Sequence, residues 1–424
     1  MSSWLKIPAG SHFSLRNLPF GIISTKGDAQ KRAGVAIGNQ VLDLKQFSAL
    51  GGFAPLGFKE TNVFSESTLN SFAALGQQVH RQVREYLQEV FTQGGKYADV
   101  LENNQQAQQQ AIVPIENVQN HLPMAIGDYT DFYVGLNHAY NCGVLFRGPE
   151  NALQPNYYHL PVGYHGRASS VVPSGTDLHR PCGQILENPA VKEPSFAPCK
   201  RLDYELEMAA FVCTPNKLGQ RVDVNEAESH IFGYVLMNDW SARDIQAWEY
   251  VPLGPFTAKN FGTSISPWVI LHDALKPFKA APLDRPADKK VLPYLQEKDT
   301  NSVFNINLEV ELKTKEGDIE VLSTGTSSKM LFSFPQMIAH HTVTGCNLNT
   351  GDLIASGTIS GEDSNSFGSM LEKSKGGKEK FKVGNSERTF IEDGDTIIMR
   401  AVAKADDGCV GFGEVTGTIL PPIN

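Results

Sequence analysis

Two acidic side chains near residue 206 have the type and spacing of metal ligands. In the run from Leu202 to Val212, positions 203, 205 and 207 are acidic, whereas positions 202, 204, 206 and 208 are apolar or aromatic. Because side chains alternate between the two faces of a strand, Glu205 and Glu207 would project from the same face. Neighbouring carboxylates repel one another unless a cation or solvent separates them, and ligation by oxygen alone suits hard cations such as Mg2+ or Ca2+. The run fits a metal site, and it also fits a strand that turns an acidic face to solvent.

The segment from Asp239 to Lys259 carries acids, an Arg, a Gln, a Tyr and a Lys among Trp, Pro and Gly. An ordinary core would leave such charges unsatisfied, and an ordinary surface loop would not carry two Trp. The composition therefore predicts a partly buried polar pocket that faces a metal or an anionic ligand. Asp239 follows an apolar run that begins at Ile231, and an Asp that ends a buried strand favours metal ligation. An ion pair with Arg243 would satisfy the same carboxylate.

The run from Gly127 to His138 contains a candidate general base. It supplies two Asp, two Tyr and one His. A His serves as a base near neutral pH when a carboxylate fixes its tautomer and stabilises the imidazolium. An isolated His is more often structural, but Asp131 and the polar surroundings leave a catalytic role for His138 open.

Two loops that contain Gly are candidates for the wall of a site. Residues 159–170 are rich in hydrogen-bond donors and form either a structural loop or an active-site wall. Residues 355–361 could offer backbone N–H groups to an oxyanion, but they lack the spacing of a phosphate-binding loop. The pair His340 and His341 lacks the Glu of a zincin motif, which favours a structural interpretation. The sequence has no Gly-x-Ser-x-Gly elbow and no Gly-x-Gly-x-x-Gly motif after a clean strand.

The composition narrows the class of protein. A length of 424 residues favours two domains, and 38 Gly and 24 Pro favour many turns and hence a strand-rich fold. A net charge of -9 argues against nucleic acid or an anionic membrane as the main partner. The 6 Cys are scattered without a Cys-x-x-Cys pair, which is typical of reduced, buried thiols. Because the sequence has neither a signal-peptide pattern nor a membrane-spanning apolar run, we expect a cytoplasmic protein.

Hydrophobic periodicity predicts the elements that would position these residues. Residues 1–60 contain short apolar runs that predict strands of a small barrel or sheet. Residues 66–93 repeat apolar side chains at three- and four-residue steps, which predicts a helix capped by Ser67 or Thr68 and ended by Gly94 and Gly95. A Gln-rich patch then precedes a domain boundary near residue 120.

The rest of the chain alternates short strands with loops rich in Gly and Pro. Near the C-terminus, residues 352–357, 395–403 and 410–420 have the apolar content of strands. The Lys-rich run over residues 373–382 is typical of a solvated hairpin or loop.

Several of these motifs resemble the fumarylacetoacetate hydrolase family. The matching runs are residues 126–133, 160–170, 237–246, 248–256 and 355–361. The resemblance covers essentially the whole chain, including an N-terminal domain that many members of the wider superfamily lack. It implies a mainly β protein with some α-helix, in which residues 1–120 form a small SH3-like barrel domain and residues 121–424 form a larger mixed β-roll catalytic domain. It also implies a homodimer.

The same resemblance implies an activity and three sets of site residues. The activity is metal-dependent hydrolysis of the carbon–carbon bond of 4-fumarylacetoacetate to fumarate and acetoacetate, the last step of tyrosine and phenylalanine catabolism. Mg2+ and/or Ca2+ would be held by Asp131, Glu205, Glu207 and Asp239, with Lys259 and Thr263 close by. The catalytic residues would be His138, oriented by Glu372, together with Arg243, Gln246 and Lys259. Substrate would be contacted by Tyr133, Arg147, Tyr164, Gln246, Tyr250 and Thr358.

Two other interpretations use the same residues. An acylpyruvate hydrolase, or an oxo-acid decarboxylase or isomerase of the same superfamily, would share the acidic metal site. The pair His138 and Glu372, together with the N-terminal domain, favours the hydrolysis of a small-molecule diketo acid. A binding or scaffold protein that retained the fold would have lost a ligand or the base, and the sequence retains them all.

Overall fold

The N-terminal part of the chain forms short antiparallel strands. In the computed structural model, which describes residues 2–188, 190–406 and 408–423, these are β1 (Phe20–Thr25), β2 (Asp28–Ile37), β3 (Gln40–Asp43), β4 (Ile112–Pro114) and β5 (Val118–His121). β1 pairs with β2 and β5, β2 pairs with β3, and β3 pairs with β4. The prediction of short strands within residues 1–60 is confirmed.

The helices of the described chain are mostly short. The α-helices are α1 (Leu44–Ala49), α2 (Asn70–Ala73), α3 (Gln77–Phe91), α4 (Gln105–Ala111), α5 (Leu136–Arg147), α6 (Arg243–Glu249), α7 (Thr257–Asn260), α8 (His272–Leu275), α9 (Phe334–Thr342) and α10 (Met370–Lys373). Single 3-10 turns occur at Ala54–Leu56, Thr61–Ser65, Ala98–Val100, Ile115–Asn117, Pro149–Asn151, Ala168–Ser170, Ala227–His230, Lys276–Phe278 and Pro293–Leu295.

The prediction of a single helix over residues 66–93 is wrong, because this segment contains two helices. It is divided into α2 and α3 by Gly76, which has a φ of 85°. A left-handed residue cannot continue a right-handed helix, so the apolar periodicity crosses a break. The N-cap of α2 is Leu69 rather than Ser67 or Thr68. Of the predicted apolar positions within α3, Val83, Tyr86, Leu87 and Val90 are buried, whereas Val79 is half-buried.

The larger part of the chain contributes the remaining strands. They are β6 (Tyr129–Phe132), β7 (Gly163–His165), β8 (Val171–Pro173), β9 (Leu178–His179), β10 (Cys182–Ile185), β11 (Ser195–Pro198), β12 (Leu202–Asp203), β13 (Leu206–Val212), β14 (Ile231–Asp239), β15 (Ser241–Ala242), β16 (Thr263–Ile265), β17 (Trp268–Leu271), β18 (Lys279–Ala280), β19 (Val303–Phe304), β20 (Asn307–Lys313), β21 (Ile319–Thr326), β22 (Leu353–Ala355), β23 (Phe381–Val383), β24 (Ser386–Arg388), β25 (Thr396–Ala405) and β26 (Gly408–Leu420).

A large mixed sheet runs through both parts of the chain. Its order among the described strands is β4-β3-β2-β1-β17-β14-β13-β22-β6-β7, with β5 beside β1, and with β16 paired to both β14 and β8. Because β1 pairs with β17, the N-terminal strands continue the sheet of the larger part. The pairs β22–β6 and β16–β8 are parallel, whereas the others are antiparallel.

The register of this sheet brings acidic residues together at the ends of several strands. Asp131 on β6 lies opposite Ala355 on β22, and β22 also pairs with β13. Glu207 on β13 lies opposite Met237 on β14, two residues before Asp239, where β14 ends. Strand ends far apart in sequence therefore meet at the same place.

A second sheet has the order β21-β20-β25-β26-β9. Along β20, Leu308, Val310 and Leu312 are buried, whereas Glu309 and Glu311 point to the opposite face. The strands predicted at the C-terminus are confirmed as β22, β25 and β26. The Lys-rich run over residues 373–382 begins at the end of α10, continues as a turn and enters the β23–β24 hairpin, as predicted.

The fold class inferred from the sequence is confirmed: the protein is mainly β with some α-helix, with a smaller N-terminal part and a larger mixed-sheet part. The division at residue 120 stays a prediction, since the sheet is continuous across it. No helix among the described residues is long and apolar enough to span a bilayer.

Candidate metal and catalytic site

Four carboxylates converge near the ends of strands β6, β13 and β14, on the same side of the sheet. Asp131, Glu205, Glu207 and Asp239 each offer one oxygen, and these oxygens all lie within 4.8 Å of one another. Asp131 on β6, Glu207 on β13 and Asp239 on β14 belong to the same sheet, in which β22 lies between β13 and β6, and Glu205 lies between β12 and β13. The alternation in the sequence therefore places Glu205 and Glu207 on one side, but that side faces the interior instead of solvent.

The burial of this cluster fits a bound cation. Glu207 has 0% of its surface exposed and Asp131 has 3%. Oδ1 of Asp131 and Oε1 of Glu207 are buried and have no hydrogen-bond partner among the described residues. Orphaned buried carboxylate oxygens are costly, and a hard divalent cation is the partner that an all-oxygen donor set suits. The chemistry of the donor set therefore fits Mg2+ or Ca2+.

The pKa values of three of these acids also fit a bound cation, whereas Lys259 and Arg243 outweigh burial and lower the pKa of Glu205. Burial, followed by the charge of Asp239, raises the pKa of Asp131 to about 8. Burial and the surrounding carboxylates also raise the pKa of Glu207 well above its usual value, and burial raises the pKa of Asp239. Without a cation these groups resist ionisation, and a divalent ion would hold them as carboxylates.

Lys259 and Thr263 contact the cluster as donors rather than as ligands. Nζ of Lys259 donates to Glu205 and, at 2.5 Å, to Oδ2 of Asp239. Burial alone would lower the pKa of Lys259, but Asp239 and Glu205 outweigh it, so this pKa is raised and the ammonium has no lone pair to offer a metal. Oγ1 of Thr263 donates to Oδ1 of Asp239 at 2.8 Å. Both residues therefore orient the carboxylates.

Arg243 joins the cluster to the neighbouring helix α6. Its Nε lies 2.9 Å from Oδ2 of Asp203, and its Nη1 lies 2.7 Å from Oε1 of Glu205 and 3.2 Å from Oε1 of Gln246. Nη2 is buried and has no partner among the described residues. Burial alone would lower the pKa of Arg243, but Glu205 and Asp203 raise it, so the guanidinium stays charged and the two N–H groups of Nη2 are available to a ligand.

His138 and Glu372 form a buried pair beside the acidic cluster. Nδ1 of His138 lies 2.7 Å from Oε2 of Glu372, and Nε2 lies 3.9 Å from Oε1 of Glu205. Burial alone would lower the pKa of His138, but Cys142 and Glu372 raise it well above the usual value. The Glu372 carboxylate fixes the tautomer, so that Nε2 is the nitrogen left to exchange protons.

The Glu372 carboxylate is held by further donors. Asn141 donates to Oε1 at 2.8 Å, and Ser360 and Ser369 each donate to Oε2 at 2.8 Å. Burial raises the pKa of Glu372, but the contact with His138 and these hydrogen bonds outweigh it, so this pKa lies below its ordinary value. Glu372 is therefore a fixed, ionised partner.

The expected substrate-binding residues line one cavity. The cavity has a volume of about 590 Å³, and its walls include Tyr133, Arg147, Tyr164, Gln246, Tyr250 and Thr358. His138, Arg243 and Lys259 also line it, together with Asp131 and Glu205. Glu207, Asp239, Thr263 and Glu372 do not line it, so they support the wall from outside the cavity. Arg147 is exposed and donates to the carbonyl oxygens of Asn151 at 3.0 Å and Ala152 at 2.7 Å.

The other candidate motifs have structural contacts. The N–H group of Gly357 donates to Oε2 of Glu207 at 3.0 Å, so it is engaged by a carboxylate instead of being free for an oxyanion. His340 lies 3.0 Å from the hydroxyl of Tyr294, and His341 lies 2.8 Å from the hydroxyl of Thr130. In the loop over residues 159–170, Tyr164 reaches the site and donates to Asp239 at 3.4 Å.

Sequence reasoning missed several residues that hold the site together. They are Asp203, which pairs with Arg243; Asn141, Ser360 and Ser369, which bind Glu372; and Cys142, next to His138. A signal existed for Ser369, because Ser three residues before Glu is the spacing of a helix N-cap, and Ser369 does cap α10. Cys142 contacts His138 one turn away on the same helix, whereas Asp203, Asn141 and Ser360 reach their partners only through long-range contacts.

Comparisons with known proteins agree with this architecture. A family model for the fumarylacetoacetase N-terminal region matches residues 16–123, and a model for the fumarylacetoacetate (FAA) hydrolase C-terminal region matches residues 129–420. The fumarylacetoacetase of Emericella nidulans is 59% identical over 100% of this chain and 99% of its own length. That of Rattus norvegicus is 48% identical over 100% of this chain and 99% of its own.

A solved structure shares the fold. The fumarylacetoacetate hydrolase of the psychrophile Exiguobacterium antarcticum is 16% identical to this chain, with a TM-score of 0.53 over 95% of this chain and 99% of that one. The family resemblance seen in the sequence motifs is confirmed over both parts of the molecule by the two family models and the full-length relatives. The chain belongs to the fumarylacetoacetate hydrolase family.

Proposed function

We propose that this protein hydrolyses the carbon–carbon bond of 4-fumarylacetoacetate, giving fumarate and acetoacetate in the catabolism of tyrosine and phenylalanine, with Mg2+ or Ca2+ as cofactor. The observation that carries the proposal is a buried acidic cluster with orphaned oxygens beside the His138–Glu372 pair. Asp131, Glu205 and His138 line the same cavity. The relatives named fumarylacetoacetase match this chain from end to end, which supports the same substrate.

The reaction requires water to attack one carbonyl of a 1,3-diketone. His138 is the residue that we assign to take the proton of that water, because Nδ1 is held by Glu372 while Nε2 has only longer contacts. The positive charge of a cation bound beside it would oppose the raised pKa of this imidazole and favour its neutral, proton-accepting form. Glu372 stabilises the imidazolium that forms, since its carboxylate is fixed by Ser360 and Ser369. Nε2 can then return the proton to the carbon that leaves.

The oxygen of the attacked carbonyl becomes an oxyanion that needs donors. Arg243 has a buried Nη2 without a partner, and Gln246 and Lys259 line the same cavity. A donor that is well placed for an oxyanion contributes about 3–4 kcal/mol to the stability of the transition state. Because Nη2 of Arg243 has no partner among the described residues, Arg243 is the first residue to which we assign this role.

Asp131, Glu205, Glu207 and Asp239 would hold the metal, with Lys259 and Thr263 orienting their carboxylates. When bound, a divalent cation supplies the positive charge that the oxygens of a 1,3-dicarbonyl group need as electron density moves onto them. At the outer wall, Arg147 would bind the substrate carboxylate, and Tyr133, Tyr164, Tyr250 and Thr358 would line the path to it.

The test is the loss of the diketone absorbance of 4-fumarylacetoacetate after enzyme is added. We expect turnover with Mg2+ or Ca2+, no turnover after a chelator, and recovery when the metal is restored. Acylpyruvates and oxaloacetate serve as comparison substrates, because other superfamily activities would act on them. A higher kcat/KM for one of these would overturn the substrate assignment, and absence of turnover with metal present would overturn the hydrolase.

We also propose that the protein acts in the cytoplasm as a homodimer. The proposal is supported by the family resemblance and by the six free cysteines, which suit a reducing compartment. Sedimentation equilibrium of the full chain tests the assembly, and a monomer at micromolar concentration would contradict it.

A further inference from the structure

Cys142 lies at the catalytic cavity in a position that no proposed catalytic step uses. It follows His138 by one turn of α5. Its sulfur lies 3.5 Å from Nε2 and 3.7 Å from Nδ1 of His138. The residue is 5% exposed, and it lines the same cavity as Arg243 and His138. A small molecule therefore reaches this thiol through the cavity.

The imidazole of His138 is arranged to accept the proton of this thiol. Nδ1 is committed to Oε2 of Glu372 at 2.7 Å. The nitrogen that can accept is therefore Nε2, which is also the closer of the two to the sulfur. A thiol beside an imidazole acts as a nucleophile once its proton is transferred, because the thiolate is the reactive species.

The cavity beside Cys142 is lined by an arginine that has an unpartnered nitrogen, which indicates a ligand with a carbonyl or carboxylate oxygen. Nη2 of Arg243 is buried and unpartnered among the described residues, and Arg243, which is 5% exposed, lines this cavity. A guanidinium N–H group recognises carbonyl and carboxylate oxygens. An electrophile with such an oxygen would be held in the cavity that also contains the thiol.

We propose that Cys142 is a covalent modification site for α,β-unsaturated carbonyl compounds that enter the catalytic cavity, with His138 as the proton acceptor. The thiol proton passes to Nε2 of His138, and the sulfur forms a bond to the β-carbon of the electrophile. The π electrons move onto the carbonyl, and the α-carbon then takes a proton back from His138. The product is a thioether, and the addition needs neither an oxidant nor a reductant.

The chain contains matched controls for this inference. Cys199 and Cys213 are as buried as Cys142, at 2% and 0% exposure, but they do not line the cavity. Burial raises the pKa of both of these thiols, which opposes their reaction. Cys182 is half-buried and lies on β10, away from the cavity lining. Measuring the reaction rate of each cysteine in the same folded protein therefore shows whether reactivity depends on access to the cavity or on burial alone.

The experiment treats the full-length, Mg2+-loaded protein with N-ethylmaleimide and follows each cysteine by peptide mass mapping. We expect Cys142 to be labelled at least about tenfold faster than Cys199 and Cys213. A polymer-linked maleimide, too large for the cavity, should leave Cys142 unlabelled. Labelling of Cys142 at the rate of Cys199, or only after unfolding, would overturn the proposal, as would equal labelling by the bulky reagent.

Three variants complete the test, and the labelling of the first, His138→Gln, is measured independently of the substrate assignment. In His138→Gln the labelling of Cys142 should slow by about tenfold, because the proton acceptor is gone. An unchanged labelling rate would overturn the role of His138. With Cys142→Ala, the rate of activity loss under N-ethylmaleimide, relative to the same untreated variant, should fall by about tenfold, whereas Cys182→Ala should behave like the parent. Equal loss in both variants would place the sensitive thiol elsewhere.

Discussion

Nδ1 of His138 lies 2.7 Å from Oε2 of Glu372, although 234 residues separate them. His138 is on α5 and Glu372 is on α10, and both side chains are buried. A buried carboxylate is stable only when it is well partnered, and Asn141, Ser360 and Ser369 supply the remaining donors. The pair is therefore a rigid unit whose exchangeable nitrogen is Nε2, close to the acidic cluster.

Replacing Glu372 with Gln tests this unit. An amide cannot stabilise the imidazolium, so we expect kcat for 4-fumarylacetoacetate to fall by about 10²–10⁴-fold with little change in metal affinity. Steady-state kinetics and a calorimetric metal titration measure the two effects. Glu387→Gln, at an exposed glutamate, is the matched control and should keep the parental rate. A Glu372→Gln enzyme that turns over at the parental rate would remove His138 and Glu372 from the mechanism.

A second prediction concerns how the acidic cluster contributes to metal affinity and to the stability that bound metal adds. Glu207→Gln places an amide beside other buried carboxylates, so we expect weaker binding of Mg2+ or Ca2+ and a smaller rise in Tm when metal is added. A ligand at 100 times its Kd stabilises the native state by about 2.7 kcal/mol, and the variant should lose much of that increment. Differential scanning calorimetry with and without chelator measures it, with exposed Glu226→Gln as control. Equal metal-dependent stabilisation in both variants would contradict the assignment of Glu207.

The pKa of Asp131 predicts how metal binding depends on pH. In the metal-free protein this pKa is raised from 3.8 to about 8, first by burial and then by Asp239. Between these pH values the native state holds a proton that the unfolded state releases, so the free energy of unfolding of the metal-free protein falls as the pH rises. Metal binding displaces this proton, and it also displaces protons held by Glu207 and Asp239, whose pKa values are raised too. The apparent affinity should therefore rise by at least about tenfold per pH unit up to about pH 8, and less steeply above that pH.

Isothermal titration calorimetry from about pH 6 to about pH 9 measures this dependence, with the buffer varied to count released protons. Asp131→Asn is the control, because it removes the titrating carboxylate. It should bind metal more weakly and with a flatter pH dependence. An affinity of the parent protein that is constant below about pH 8 would show that Asp131 does not lose a proton on binding.

The sequence predicted the local parts of this molecule better than the contacts between them. The alternation around Glu205 and Glu207 correctly placed them on one side of the chain, because strand periodicity is a local property. Whether that side faced solvent depended on strands β6 and β14, which lie far away in sequence. The break at Gly76 was missed for the opposite reason, since apolar periodicity continued across a residue whose φ is positive.

The residues that support the site were harder to find than the residues that form it. Asp203 lies on the acidic face noticed in the sequence, yet its partner Arg243 is reached only through the pairing of β12 with β15. Ser360 belongs to a loop whose small residues suggested an oxyanion site, but its hydroxyl binds Glu372 instead. Such contacts follow from the packing of loops that carry no periodic signal.

The close approach of α5 to the loop after it gives a last prediction. A Cβ atom at Gly143 would lie 1.8 Å from the carbonyl oxygen of Ala152, so Gly143→Ala must displace one of the two segments. Arg147, which we assign to the substrate carboxylate, donates to this same carbonyl at 2.7 Å. Overpacking of this kind costs about 1–3 kcal/mol of stability, and it should shift Arg147 as well.

We therefore expect Gly143→Ala to lower the free energy of unfolding by that amount and to raise KM for 4-fumarylacetoacetate more than it lowers kcat. A shifted Arg147 weakens substrate binding, whereas His138 lies more than one turn away on the same helix. Urea unfolding and steady-state kinetics measure the two effects. Gly27→Ala is the control, because a Cβ there meets no atom within 4 Å. Parental stability and KM in Gly143→Ala would contradict this prediction. They would show that the loop carrying Ala152 moves at little cost in free energy, and that the position of this loop does not control substrate binding by Arg147.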